Sequence, residues 1–122
     1  LQSVDRVEKI EPLTINGYYI QRLERTILQY NKEIDTYQAY ITELDNKITA
    51  AKEEISALNE TMNLLSSDDA EKSKKRIDAI KSNITDFETE KNKTEESIFI
   101  IQDKITDTTK KLEQYKNKKG DD

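Results

Sequence analysis

From Ile20 to Leu65 the apolar residues of this 122-residue chain recur at alternating intervals of three and four without a fault. One series is Ile20, Ile27, Ile34, Ile41, Ile48, Ile55 and Met62; the other is Leu23, Tyr30, Tyr37, Leu44, Ala51, Leu58 and Leu65. This is a heptad with apolar a and d sites sustained over about seven repeats, where three or four suffice for a coiled coil. A period of 3.5 suits a helix with one apolar stripe and cannot serve a strand, whose side chains alternate with period two.

The pattern breaks at Ser66-Ser67-Asp68-Asp69 and resumes one position out of frame. The second series runs Ala70, Ser73, Ile77, Ile80, Ile84, Phe87, Lys91, Thr94, Ile98, Ile101, Ile105, Thr108, Leu112 and Tyr115. A phase break is either a stutter in one long helix or a turn. A turn at 66–69 fits better. Asp68 with Glu71 three residues on has the form of a capping box, and adjacent acids suit a helix N-terminus. Folding the chain there sets Leu58 opposite Ile77, Ala51 opposite Ile84, Ile48 opposite Phe87 and Ile20 opposite Tyr115, so the two arms end together. Glu33 then meets Lys104, and Lys47 meets Glu90, along one edge.

The fold class expected is therefore all-α: a long antiparallel two-helix coiled-coil hairpin with arms about 18–65 and 69–117. At 1.5 Å per residue each arm spans roughly 70 Å. A short N-terminal segment, helical or extended, covers residues 1–17. Val4, Val7 and Ile10 share a face there, Pro12 stops any helix before it, and Asn16-Gly17 lead into the first arm. Gly120 ends the last turn, and residues 118–122 read as a disordered tail. The chain opens at Leu1 rather than methionine, as a fragment or processed form does. Isoleucine at a with leucine at several d sites also suits a parallel dimer of continuous helices, the alternative that the phase break and small Ala51 oppose.

Composition bounds the chemistry. The chain is 37% charged, with two glycines, one proline and no tryptophan, so it is either disordered or helical and elongated. The heptads decide for helix. A net charge of −5 argues against nucleic acid as the main partner. There is no cysteine and no histidine, which removes disulfides, thiol nucleophiles, the commonest general base and most zinc sites. Neighbouring acids such as Glu53-Glu54 point apart on a helix and are solvated faces. No glycine-rich phosphate loop, calcium loop or membrane-spanning run is present. Asn59, Asn83 and Asn92 begin glycosylation-type triplets, but helical arms are poor acceptors. The expectation is no enzyme, no cofactor, no metal and no small-molecule substrate.

Three features bear on partners. The run Ile98-Phe99-Ile100-Ile101 puts Ile98 and Ile101 in the seam but Phe99 and Ile100 outside it, at b and c. Leu28 at b and Tyr40 at g are further apolar groups off the seam. Leu28, Tyr40, Phe99 and Ile100 are thus candidates to contact a third element: the N-terminal segment (Val4, Val7, Ile10 and Leu13), a second hairpin or another protein. Lys91 and Thr94 interrupt the second seam opposite Leu44 and Ile41, either by snorkelling or as a register-fixing defect. The tip residues Asp68, Asp69 and Glu71 either cap the second arm or engage a partner. Over residues 68–71 this tip resembles that of the transcription factors that enter the secondary channel of RNA polymerase, where tip carboxylates help to hold a metal. The cysteine cluster of that family has no counterpart here.

The function these features imply is a non-enzymatic structural and protein–protein interaction module, a coiled-coil spacer or oligomerisation arm of a larger assembly. Its partner is another protein or a second copy. The rival is a regulatory factor that inserts its acidic tip into a partner.

Overall fold

The computed structural model describes residues 14–118. It is a helical hairpin, with two long helices packed against each other and, among the described residues, no strand. Helix α1 spans Ile15–Thr61 and helix α2 spans Ser67–Asn117, joined by a 3₁₀ turn at Met62–Leu64. The readings made for Val4, Val7, Ile10, Pro12, Leu13 and Gly120 fall outside the described residues.

Each helix end is closed by a local group. Thr14 caps α1: its Oγ1 accepts from the Gly17 N–H at 2.8 Å and its carbonyl from Tyr18 N–H at 2.9 Å. Asn16 and Gly17 therefore lie inside the first turn rather than before it. At the connection, Leu65 is extended and its N–H closes on the Met62 carbonyl. Ser66 then starts α2, its Oγ accepting from Asp69 N–H at 3.3 Å and its carbonyl from Ala70 N–H at 2.8 Å.

The reversal thus occupies Met62–Ser66, earlier than the expected 66–69. Met62 and Leu65 keep the heptad spacing, which is why the pattern alone continues the helix through them. Ser66 is the better cap because it leaves Asp68 and Asp69 in the first turn, where their charge faces the helix N-terminus. The phase break is a turn and not a stutter.

The seam follows the heptads. All fourteen a and d positions expected on each arm are buried or half-buried. Off the seam only Asn16, Gly17, Thr26, Asp45 and Ser97 are similarly shielded among the described residues. Asn16 extends the first series by one d position, a polar residue that the apolar count omits.

The hairpin divides into two compact units. In the described part of the first, residues 14–32 and 101–118, Ile101 and Leu112 are buried. Tyr19 stacks on Tyr115 with ring centroids 5.5 Å apart, and Asn16 Nδ2 donates to the Tyr115 carbonyl at 2.6 Å. That carbonyl, one of the last four of α2, also accepts from Lys118 N–H, so one of the carbonyls that the helix end leaves open has two partners. In the second unit, residues 33–100, Ile34, Leu44, Ile48, Ile77, Ile80 and Ile98 form the buried stripe, with Leu44 only 2% exposed.

Candidate functional site

The interruption of the second seam is fully satisfied. Lys91, at an a position, extends sideways to place Nζ 2.8 Å from Asp45 Oδ1. The hydrogen bond to Asp45 holds the Lys91 ammonium above the ordinary lysine range, against the opposing pull of desolvation; Asp45, Glu95 and Glu88 add their charge. Thr94, 5% exposed, donates its hydroxyl to the Glu90 carbonyl at 2.8 Å, one turn back along its own helix. A groove of about 530 Å³ runs beside Lys91, lined by Ile48, Lys52, Asn92 and Glu95 among others. Its lining also holds Asp45, Glu88 and Lys91, so charged side chains of both signs face it.

The opposite edge of the same unit is built differently. The Tyr40 phenol is pushed above its usual range, first by desolvation and then by the Glu90 carboxylate, which accepts its hydroxyl. Glu90 is therefore engaged by Tyr40. Lys47 does not make the expected pair with it: Lys47 Nζ lies 3.5 Å from Glu43 on its own helix and 5.8 Å above the centre of the Phe87 ring. One turn of helix favours Glu43, and the ring face attracts the ammonium. Nearer the tip, Arg76 bonds Glu54 across the arms at 2.9 Å.

The four apolar candidates are all exposed: Phe99 by 64%, Ile100 by 54%, and Leu28 and Tyr40 as well. Phe99 and Ile100, at b and c, flank the outermost f position of α2, whereas Tyr40 lies at g of α1. Around a helix the b position lies beside e and the c position beside g. Phe99 at b therefore leans toward the edge marked by Lys91–Asp45. Ile100 at c leans toward the edge marked by Tyr40–Glu90. Leu28 belongs to the other compact unit.

At the tip, Asp68 and Asp69 are exposed in the first turn of α2 and Glu71 is exposed just after it, and Ser66 rather than Asp68 supplies the capping oxygen. Among the described residues there is no group of three or more His, Cys, Asp or Glu placed to hold a metal ion. No helix among them is long and apolar enough to cross a membrane.

Four exposed apolar residues escape the heptad reading: Ile15, Tyr18, Tyr19 and Leu64. Leu64 is 85% exposed at the turn. Its position at c, next to the d residue Leu65, keeps it out of the seam. Tyr18 and Tyr19 pack edge to face at 5.8 Å, a contact that needs the cap at Thr14 to be placed first. Compared with family models, curated proteins and solved structures, the chain matches nothing.

Proposed function

We propose that this chain is a non-enzymatic structural and protein–protein interaction module, acting as a coiled-coil spacer or oligomerisation arm. The observation that carries this reading is the exposure of Phe99 and Ile100 on a hairpin whose seam is already complete without them. Neighbouring large apolar residues left in water on a highly charged helix are what a contact surface requires. Photo-crosslinking from position 99 of the full chain, in cells that produce it, tests the reading. An intermolecular adduct is expected. Only intramolecular products, or none, would overturn it.

A second reading is supported by the tip. Because Ser66 supplies the cap, the carboxylates of Asp68 and Asp69 are free for a partner beside the exposed Leu64. In this reading the hairpin is a regulatory factor that engages a partner through Asp68, Asp69 and Glu71. Replacing Asp68 and Asp69 together by alanine would abolish partner engagement at unchanged helicity. A change confined to the melting temperature would reduce the two acids to helix-dipole partners.

A further inference from the structure

The two compact units differ in charge. In the described part of the first unit, residues 14–32 and 101–118, eight Lys and Arg stand against four Asp and Glu, a net of +4. The second unit, 33–100, carries nine against sixteen, a net of −7. Within it the excess is local. Residues 47–85, which include the turn, hold seven of each sign and are neutral. The whole −7 lies in 33–46 and 86–100, where nine acids face two lysines, and one of those, Lys91, is held by Asp45. This is the stretch that exposes Phe99, Ile100 and Tyr40.

The first unit shows the complementary combination. Leu28, Tyr18 and Tyr19 are exposed there. Arg22 lies four residues after Tyr18 and Arg25 three residues before Leu28, so each guanidinium shares a helix face with an exposed apolar group. Two copies meeting through Phe99 and Ile100 on both sides would bring net negative surfaces together, which opposes association. A surface that fits must be apolar and basic, and the chain itself carries one.

We infer that the acidic Phe99–Ile100 surface of one copy docks against the basic Tyr18–Leu28 surface of a second copy, opposite charge selecting the pairing. This deepens the interaction-module reading and rests on it, with the partner now a second copy of this chain. Charge steers the encounter and excludes the like-with-like contact, while the apolar groups supply the area removed from water. The stretch 47–85, neutral as a whole, takes no part.

Sedimentation equilibrium of the full chain tests this at about 0.1 M and about 1 M salt, where the screening length falls from about 10 Å to about 3 Å. Association is expected at the lower salt, with the dissociation constant rising roughly tenfold or more at the higher. Reversing one surface (Arg22→Glu with Arg25→Glu) should give a monomer of unchanged helicity, and so should reversing the other (Glu95→Lys with Glu96→Lys). A chain carrying all four substitutions should associate again, as should a mixture of the two monomeric variants. Association that ignores salt and single-surface reversal would overturn the inference, as would failure of the fourfold variant to recover. A chain that is monomeric throughout, yet cross-links from position 99 to a different protein, ends this inference and leaves the interaction-module reading standing. A monomeric chain that cross-links to nothing ends both.

Discussion

Lys91 reaches Asp45 across the arms, Nζ to Oδ1 at 2.8 Å, from an a position that would otherwise hold an isoleucine over buried Leu44. The ammonium leaves the seam for its edge, and only the lysine stem lies along the apolar stripe. A polar a site bonded to one residue of the facing helix distinguishes the native register from a register slipped by a heptad, where the lysine finds no Asp45. Replacing Lys91 by leucine should therefore raise the thermal midpoint while loosening the register. Circular dichroism melts and disulfide trapping between cysteine pairs placed in native and slipped registers check the two halves separately. A lower midpoint for Lys91→Leu would mean that the ion pair is a net source of stability.

The seam and the turn differ sharply in what a leucine is worth. Leu44 is 2% exposed and Leu64 is 85% exposed. Truncating Leu44 to alanine removes buried methyl groups and leaves a void, at a cost of about 2–4 kcal/mol. The same change at Leu64 should stay within about 0.5 kcal/mol, as expected for a surface site. Urea unfolding followed by far-ultraviolet circular dichroism gives both values. Comparable losses would show that the turn leucine is covered in solution.

Ser66 and Asp68 separate capping by a hydrogen bond from capping by charge. Ser66→Ala removes the oxygen that accepts from Asp69 N–H and should cost about 1 kcal/mol. Asp68→Ala removes only a charge near the N-terminus of α2 and should cost about 0.3–1 kcal/mol, a loss that fades with added salt. The salt dependence is the discriminating readout. A salt-independent loss at Asp68 would restore the capping box first expected of Asp68 and Glu71.

At the other end, Asn16 joins the start of α1 to the last turn of α2 through the Tyr115 carbonyl, 99 residues away in sequence. Asn16→Ala breaks that bond and should cost about 1 kcal/mol. The effect should be local. Amide hydrogen exchange at residues 112–118 is expected to accelerate, with amides of Ile77 and Ile80 unchanged. Uniform acceleration would mean that the hairpin opens only as a whole.

How far the sequence discloses this molecule depends on which force sets each feature. Burial of one apolar stripe is a property of spacing, so every seam residue from Ile20 to Tyr115 was legible, including the tolerated Lys91 and Thr94. Asn16 was not, because it belongs to the seam by position and not by hydropathy. The spacing alone carries the helix a few residues too far, because Met62 and Leu65 keep the heptad after the helix has ended. Register pairs Lys47 with Glu90, yet the one-turn reach to Glu43 and the Phe87 face hold it on its own helix edge. The exposure of Leu28, Tyr40, Phe99 and Ile100 followed from the heptad.

Two groups make the stability of the hairpin sensitive to alkali, and with the same sign. Lys91 is held above its ordinary range by its bond to Asp45, and Tyr40 is held above its own by desolvation and by Glu90. In both cases the folded chain keeps a proton that the unfolded chain releases first. Their contribution is therefore complete below the unfolded values, about 10 for both side chains, and is lost as pH rises through the folded values. The melting temperature should be level between about pH 7 and about pH 9 with respect to these groups and fall above about pH 10. Tyr40→Phe should remove the phenol's share of that fall without altering the midpoint's dependence on Lys91, and Lys91→Met should do the reverse. Should the double variant fall as steeply as the native chain, the alkaline loss would belong to the general deprotonation of the other lysines.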